Sequence, residues 1–361
     1  MENDPIQSSL LSQSEVCASF GSRFYAGMLR RAAADPGAAR GLFAPWRGEP
    51  VERLMAAAAP LRFLGALHEL ALAGEDPVLS AAFRPALDAE AAWAAALGAI
   101  APRRERLAAF MAHEPQTNEV RRSACLLPGF LTVAAATRLP LRCLEVGASA
   151  GLNQLWDRFH YRYDGEAWRW GDPAAALELS ADWRGAAPPP HVRLAVAARA
   201  GCDRKPLDLA RPDQRRRLKA YIWPDQAERL ARFDAAADLA LAAGVRVEAA
   251  DAADWALVHA APREGVATVL YHSIFWQYLD GATQAALAAA MSRHGAAATA
   301  AAPLAWLAME PRTGTSFPIE LTLTLWPGGE TRHLASVHAH GAWVDWRGQG
   351  AAALSPLPPR P

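Results

Sequence analysis

The apolar residues Val16, Phe20, Phe24 and Met28 recur at every fourth position, which draws one stripe along a helical face, and Asp35-Pro36-Gly37 ends it. Similar patterning, broken by prolines and glycines, predicts further helices near 51–73, 88–98 and 103–113. The polar string Glu114-Pro115-Gln116-Thr117-Asn118-Glu119 then punctuates the chain, and one more helix runs from it towards Pro140. Residues 1–140 therefore read as an all-helical N-terminal domain.

From Leu141 the period changes. Short apolar runs alternate with helical stretches, the pattern of a parallel sheet with crossover helices, and 141–361 reads as an α/β domain. Leu141–Val146 is the first predicted strand and Gly147–Gly151 a tight loop. A helix follows that places Leu152, Leu155, Trp156 and Phe159 on one face. Within 160–171 the alternating aromatics predict an inserted hairpin in which Tyr161 faces Trp170 and Tyr163 faces Trp168 across a turn at Asp164-Gly165. Pro188-Pro189-Pro190 leads out of it. Strands are then expected at Val192–Ala197, Val245–Ala250, Val266–Tyr271 and Leu304–Met309, with helices over Gln214–Ala243, broken at Trp223-Pro224, and over Thr283–His294. Ile319–Trp326 and Leu334–Val344, joined by Pro327-Gly328-Gly329, read as two closing antiparallel strands.

Composition narrows the function. With 361 residues, 52% hydrophobic and 20% charged, the chain can bury a large core without disulfides or metal. Lys+Arg and Asp+Glu are both 37, so no global field attracts nucleic acid or anionic lipid. Cys17, Cys125, Cys143 and Cys202 lack paired spacing, as expected of reduced thiols in the cytoplasm. No apolar run reaches about 18 residues and the first residues lack the build of a signal peptide, so a soluble, cytoplasmic protein is expected, with no membrane or nucleic-acid partner.

The most informative string is Leu144-Glu145-Val146-Gly147-Ala148-Ser149-Ala150-Gly151-Leu152-Asn153. A strand running into small residues and then a helix lets a ligand approach the backbone and meet free N–H groups. Its GxxxG spacing departs from the GxGxxG of dinucleotide folds. An acid at the strand end before small residues instead resembles the first motif of the Rossmann-like S-adenosylmethionine-dependent methyltransferases, and the resemblance continues through Asp203, Asp251 and the terminal antiparallel strands. It implies that Glu145, Gly147, Ser149 and Gly151 line the methionine part of the cofactor, that Asp203 holds the ribose, that Asp251 with Ala252 meets the adenine, and that Ala148 and Asn153 also belong to the cofactor-binding loop. Ser149 stands where a glycine is commoner in that superfamily. Asp164 competes with Asp203 for the ribose, and any of these acids can instead cap a helix or close a turn.

Over most of the chain the sequence is similar to a bacterial family known only as domain of unknown function 2332. The resemblance is carried by Thr117-Asn118-Glu119, Glu145–Asn153, Tyr221-Ile222-Trp223-Pro224-Asp225-Gln226, Asp251-Ala252-Ala253-Asp254-Trp255, Tyr271-His272-Ser273 and Trp326-Pro327-Gly328-Gly329. It implies a Rossmann-like methyltransferase sheet with helices on both faces and leaves the reaction open. His272, just past the fourth strand, is the candidate general base, and Glu310 a second one. Trp276 and Tyr278 offer π faces to a substrate, or simply belong to the core. Asn118, Glu119 and Arg122 form a polar cluster that closes over a substrate or faces solvent. His338 and His340, two apart on a predicted strand with His333 nearby, lack the third ligand of a metal site, and none is expected. The expected activity is methyl transfer from S-adenosylmethionine to a small molecule. The rivals are a non-catalytic protein that keeps the fold for binding or assembly, and a nicotinamide-dependent oxidoreductase.

Overall fold

A computed structural model describes residues 4–84, 87–163, 168–185, 192–312 and 318–347. They fall into two compact units, one of residues 1–117 with 209–234, the other of 118–208 with 235–361. The helix Arg122–Thr137, placed by its pattern in the helical part, thus belongs with the sheet, while Pro212–Ala220 belongs with the helices.

In the helical unit the four-residue stripe spans two helices rather than one. Pro5–Ser19, capped by Asp4, ends before Gly21 at φ 87°, and Arg23–Ala34 starts behind the cap Ser22. The Ser22 hydroxyl donates to both oxygens of Asp225 at 2.8 and 2.7 Å, which fixes the break. Phe24 and Met28 are buried, whereas Val16 and Phe20 stay exposed. The helix Ala59–Ala73 is almost wholly buried, and its Glu69 is paired with Arg106 and Arg216. No helix among the described residues is long and apolar enough to cross a membrane.

Among the described residues the second unit has eleven strands: β1 (Leu141–Val146), β2 (His160–Tyr163), β3 (Trp168–Trp170), β4 (Glu178–Gly185), β5 (Val196–Asp203), β6 (Glu248–Ala249), β7 (Ala267–Ser273), β8 (Leu304–Pro311), β9 (Ile319–Trp326), β10 (Glu330–Val337) and β11 (Trp343–Trp346). Their order is β3-β2-β4-β11-β10-β9-β8-β7-β1-β5-β6. The run β6-β5-β1-β7-β8 is parallel throughout, and β9 to β11 add an antiparallel meander. β1 is buried at every position, as is β7 up to Ser273, which is why both read as near-continuous apolar runs.

Side chains of β1 and β7 alternate between two cores. Leu144, Val146 and Leu270 pack with Trp255, Leu287 and Met291 of the helices Ala252–His259 and Gly281–Ala296. Tyr271 points the other way, onto Phe130 of Arg122–Thr137. Arg142 is buried within β1 because it caps a helix end, its Nη2 donating to the carbonyl of His259 at 2.7 Å.

The hairpin has the expected register, Tyr161 opposite Trp170 and Tyr163 opposite Trp168, the latter rings stacked 4.0 Å apart. Its turn at Asp164-Gly165 and the run Pro188–Pro190 lie outside the described residues. Four expectations are corrected. The element after the glycine loop is a seven-residue 3-10 turn, Leu152–Arg158, although the predicted face is the buried one. β5 begins at Val196, not Val192, and β6 is only two residues long. The final segment Leu334–Val344 is divided between β10 and β11. β4, whose apolar residues alternate only weakly with charged ones, joins the hairpin to β11.

Candidate functional site

After β1 the chain runs through β2 to β4 at the far end of the sheet, then adds β5 and β6 on one side of β1 and β7 and β8 on the other, so the parallel run switches direction between β1 and β7. In open α/β sheets ligands occupy the crevice beyond the carboxyl ends of the strands at such a point. Glu145, Gly147 and Ser273 stand there.

The loop leaving β1 is held mostly by the protein itself. Ala148 N–H donates to the Cys202 carbonyl at 3.0 Å and Gly151 N–H to the Ala148 carbonyl at 2.7 Å. Ser149 N–H donates to Asp203 Oδ2 at 2.9 Å, and Leu152 N–H to Asn118 Oδ1 at 2.9 Å. The free amides expected at a ligand loop are therefore largely committed. Ser149 adopts φ 55°, a conformation that costs a non-glycine residue about 1–2 kcal/mol, and the charge-assisted bond from Asp203 offsets that cost. Asp203 also accepts from Lys205 N–H at 2.8 Å, so it ties the loop after β5 to the loop after β1.

Asn118, Glu119 and Arg122 do not face solvent. Asn118 serves as a remote cap for Leu152, and the Glu119 carbonyl accepts from Asn153 Nδ2 at 3.3 Å. Asn153 Oδ1 accepts from the Ser123 hydroxyl at 2.7 Å. Arg122 donates from Nε to the Ala339 carbonyl and from Nη1 to the Ser273 carbonyl, at 3.0 and 3.1 Å. Arg199 holds the 3-10 turn from β5, bidentate to Asp157 at 2.7 and 2.9 Å and bonded to the Gln154 carbonyl.

Glu145 is 3% exposed, and its Oε2 has no hydrogen-bond partner. Its other neighbour is the Tyr271 hydroxyl, which also lies 3.4 Å from the Asn153 carbonyl. Burial pushes the carboxyl up to about 8, with Asp203 adding to the rise while the Tyr271 bond and Arg122 oppose it. Burial thus favours the protonated form of Glu145, which lies beside a buried phenol. Two further buried polar atoms without partners flank the same loop, Ser149 Oγ and Gln154 Nε2. Such atoms are rare in folded proteins and each calls for a reason.

His272 and Glu310 do come together, but in a closed arrangement. His272 is 1% exposed; its Nε2 accepts from Trp306 Nε1–H at 3.0 Å, which makes Nδ1 the protonated nitrogen, donating to Glu310 Oε1 at 2.6 Å. Glu310 also accepts from Phe275 N–H at 3.0 and 3.1 Å and from Trp276 N–H at 3.2 Å. Neither imidazole nitrogen is free to take a proton from a substrate. Trp276 stacks on His272 at 18° between planes and packs against Trp306, whereas Tyr278 is 72% exposed. Asp251 caps Ala252–His259 through Ala253 N–H at 2.9 Å, and Ala252 is buried in the first turn of that helix. His338 lies beyond β10, its Nδ1 accepting from His340 N–H at 3.1 Å, and burial lowers its pKa. No group of three His, Cys, Asp or Glu suited to a metal ion occurs among the described residues.

Gln154, Phe275 and Arg199 were not singled out by sequence, and Tyr271 was named only within the string Tyr271-His272-Ser273. A phenol within an apolar strand was a readable signal for Tyr271. Phe275 gave none, because its ring packs on Gly147, which is distant in sequence.

Neither the curated proteins nor the solved structures contain a match to this chain. A family model does match, over residues 7–346, and the chain belongs to that family, an uncharacterized protein conserved in bacteria known as domain of unknown function 2332.

Proposed function

We propose that the α/β unit binds S-adenosylmethionine at the Gly147–Gly151 loop and transfers its methyl group to a small-molecule acceptor. The observation that carries this reading is the buried Oε2 of Glu145, left without a partner at the switch point of a parallel sheet. The residues present fit such a ligand. Glu145 Oε2 and Ser149 Oγ are available to its polar groups. Asp203 is only half-buried, and a carboxylate oxygen that accepts one amide keeps a second lone pair for a ribose hydroxyl.

The bound cofactor supplies an electrophilic methyl group on a sulfonium. This chain's own residues orient it: Asp203 fixes the loop and meets the ribose, and Glu145 accepts from the amino group, giving up its proton to solvent as it becomes a carboxylate. The Tyr271 hydroxyl holds that carboxylate in place. Because His272 is committed on both nitrogens, the acceptor's proton leaves to water or to another group of the acceptor site. The same commitment favours a second reading, in which the unit binds the cofactor without transferring its methyl group.

Calorimetric titration of the full chain with S-adenosylmethionine, its demethylated product and NAD separates these readings. Saturable binding of the first two, weakened about tenfold or more in Asp203→Ala, is expected. Binding of NAD alone removes the proposal. Cofactor binding with no methyl transfer in a broad acceptor screen leaves the second reading.

A further inference from the structure

The space above Gly147 is filled. A Cβ built on Gly147, which has φ 68°, would stand 2.2 Å from Cδ2 of Phe275, so the half-buried phenyl ring rests on the bare Cα at the mouth of the loop. The ring is held by an arrangement that costs the chain something. Ile274, the residue before it, has φ 49°, where a β-branched side chain is rarely found and strain of order 1–3 kcal/mol is stored. That conformation turns the amides of Phe275 and Trp276 onto the Glu310 carboxylate, while Ile274 N–H donates to the Met309 carbonyl at 2.8 Å. Glu310 is in turn fixed by His272, and His272 by the Trp306 indole. Hydrogen bonds thus run unbroken from β8 through β7 to the ring over Gly147. Local strain over-determined by its surroundings is typical of sites that bind or switch.

We infer that Phe275 gates the glycine-loop site: its ring covers the loop, and the His272–Glu310 pair, by clamping the amides of residues 275 and 276, sets how far the ring moves when a ligand enters. This rests on the cofactor reading above. His272 and Glu310 are then positioning residues, which act on the ligand only through Phe275. The affinity of a site that is open in a fraction of molecules is reduced by that fraction, so loosening the clamp or removing the ring restores it.

The test uses the full chain and the demethylated cofactor, S-adenosylhomocysteine, as probe, with association followed by stopped-flow tryptophan fluorescence. Phe275→Ala is expected to raise the association rate about tenfold or more, and Phe275→Leu, which keeps an apolar plug, by less. Glu310→Gln is expected to fall between wild type and Phe275→Ala, and to speed hydrogen exchange at the 275 and 276 amides in the absence of probe. Unchanged association in Phe275→Ala, or weaker binding at an unchanged association rate, overturns the gate and leaves the cofactor reading standing. Unchanged exchange in Glu310→Gln overturns the clamp. Binding to Phe275→Ala but not to wild type supports gate and cofactor together. If no variant binds the probe, the cofactor reading fails and the gate falls with it.

Discussion

Glu145 and Glu310 stand near the carboxyl ends of β1 and β8, one strand apart and on opposite faces of the sheet, and they are treated in opposite ways. Glu310 is bonded to an imidazole and two backbone amides. Glu145 has a phenol on one side and nothing on Oε2. The contrast separates structure from function more sharply than residue type does. His272 and Glu310 each look like a candidate base in sequence, yet in the fold they pair and both nitrogens of the imidazole are spent on it. The group with an unmet bond is the acid that looked like one element of a loop motif.

The largest effect should come from removing the satisfied carboxylate. Glu310→Ala leaves the His272 Nδ1–H and the amides of Phe275 and Trp276 without an acceptor. The Glu310 side chain is 12% exposed, so water replaces little of what is lost, and a destabilisation of about 3 kcal/mol or more is expected from urea unfolding. A loss under about 1 kcal/mol would show that Glu310 is not the centre of the clamp and would erase the contrast with Glu145.

Asp203 and Asp251 sharpen the comparison at lower amplitude. Asp203 bridges two loops through Ser149 N–H and Lys205 N–H and compensates the left-handed Ser149, so Asp203→Ala should cost about 2 kcal/mol. Ser149→Gly in the same background should recover part of it, since glycine adopts that φ freely. Asp251 is a helix cap, and Asp251→Ala should cost about 1 kcal/mol. Equal melting temperatures for Asp203→Ala and Asp251→Ala would mean that the Asp203 bridge is no stronger than an ordinary cap.

What could be read from the sequence was whatever depends on local periodicity. β1, the glycine loop and the hairpin register are all set by alternation and turn chemistry within about ten residues. The break at Gly21 was missed because a continuous four-residue stripe hides it and its anchor, Asp225, is about two hundred residues away. The site was legible as a loop but not as chemistry. Whether Glu145 is charged depends on Tyr271 and on burial beneath Arg122–Thr137, and whether His272 is free depends on Trp306 and Glu310. Those are tertiary facts. Arg142 is the same lesson in reverse: a charge within a buried strand argues against the strand until the helix end it caps is seen.

The smallest effect in acid, and across pH the most informative, is expected for Glu145→Gln. With the folded carboxyl raised by burial to about 8 and its ordinary value near 4.5, the folded state holds a proton that the unfolded chain gives up between those values. Stability is then fullest below about pH 4.5 and falls as pH rises through the window to about 8, by up to about 1.4 kcal/mol per pH unit. Glutamine imitates the neutral acid and does not titrate. At pH 4 the variant and the wild type should therefore unfold within about 0.5 kcal/mol of each other, and from neutral pH to pH 9 the variant should be the more stable. Other titrating groups act on both proteins and cancel in the difference. Ligand affinity should move the opposite way, because the amide cannot become the carboxylate that an ammonium requires. Parallel unfolding curves from pH 4 to pH 9 would mean that Glu145 carries its charge in the fold, and the distinction between the two glutamates would then rest on geometry alone.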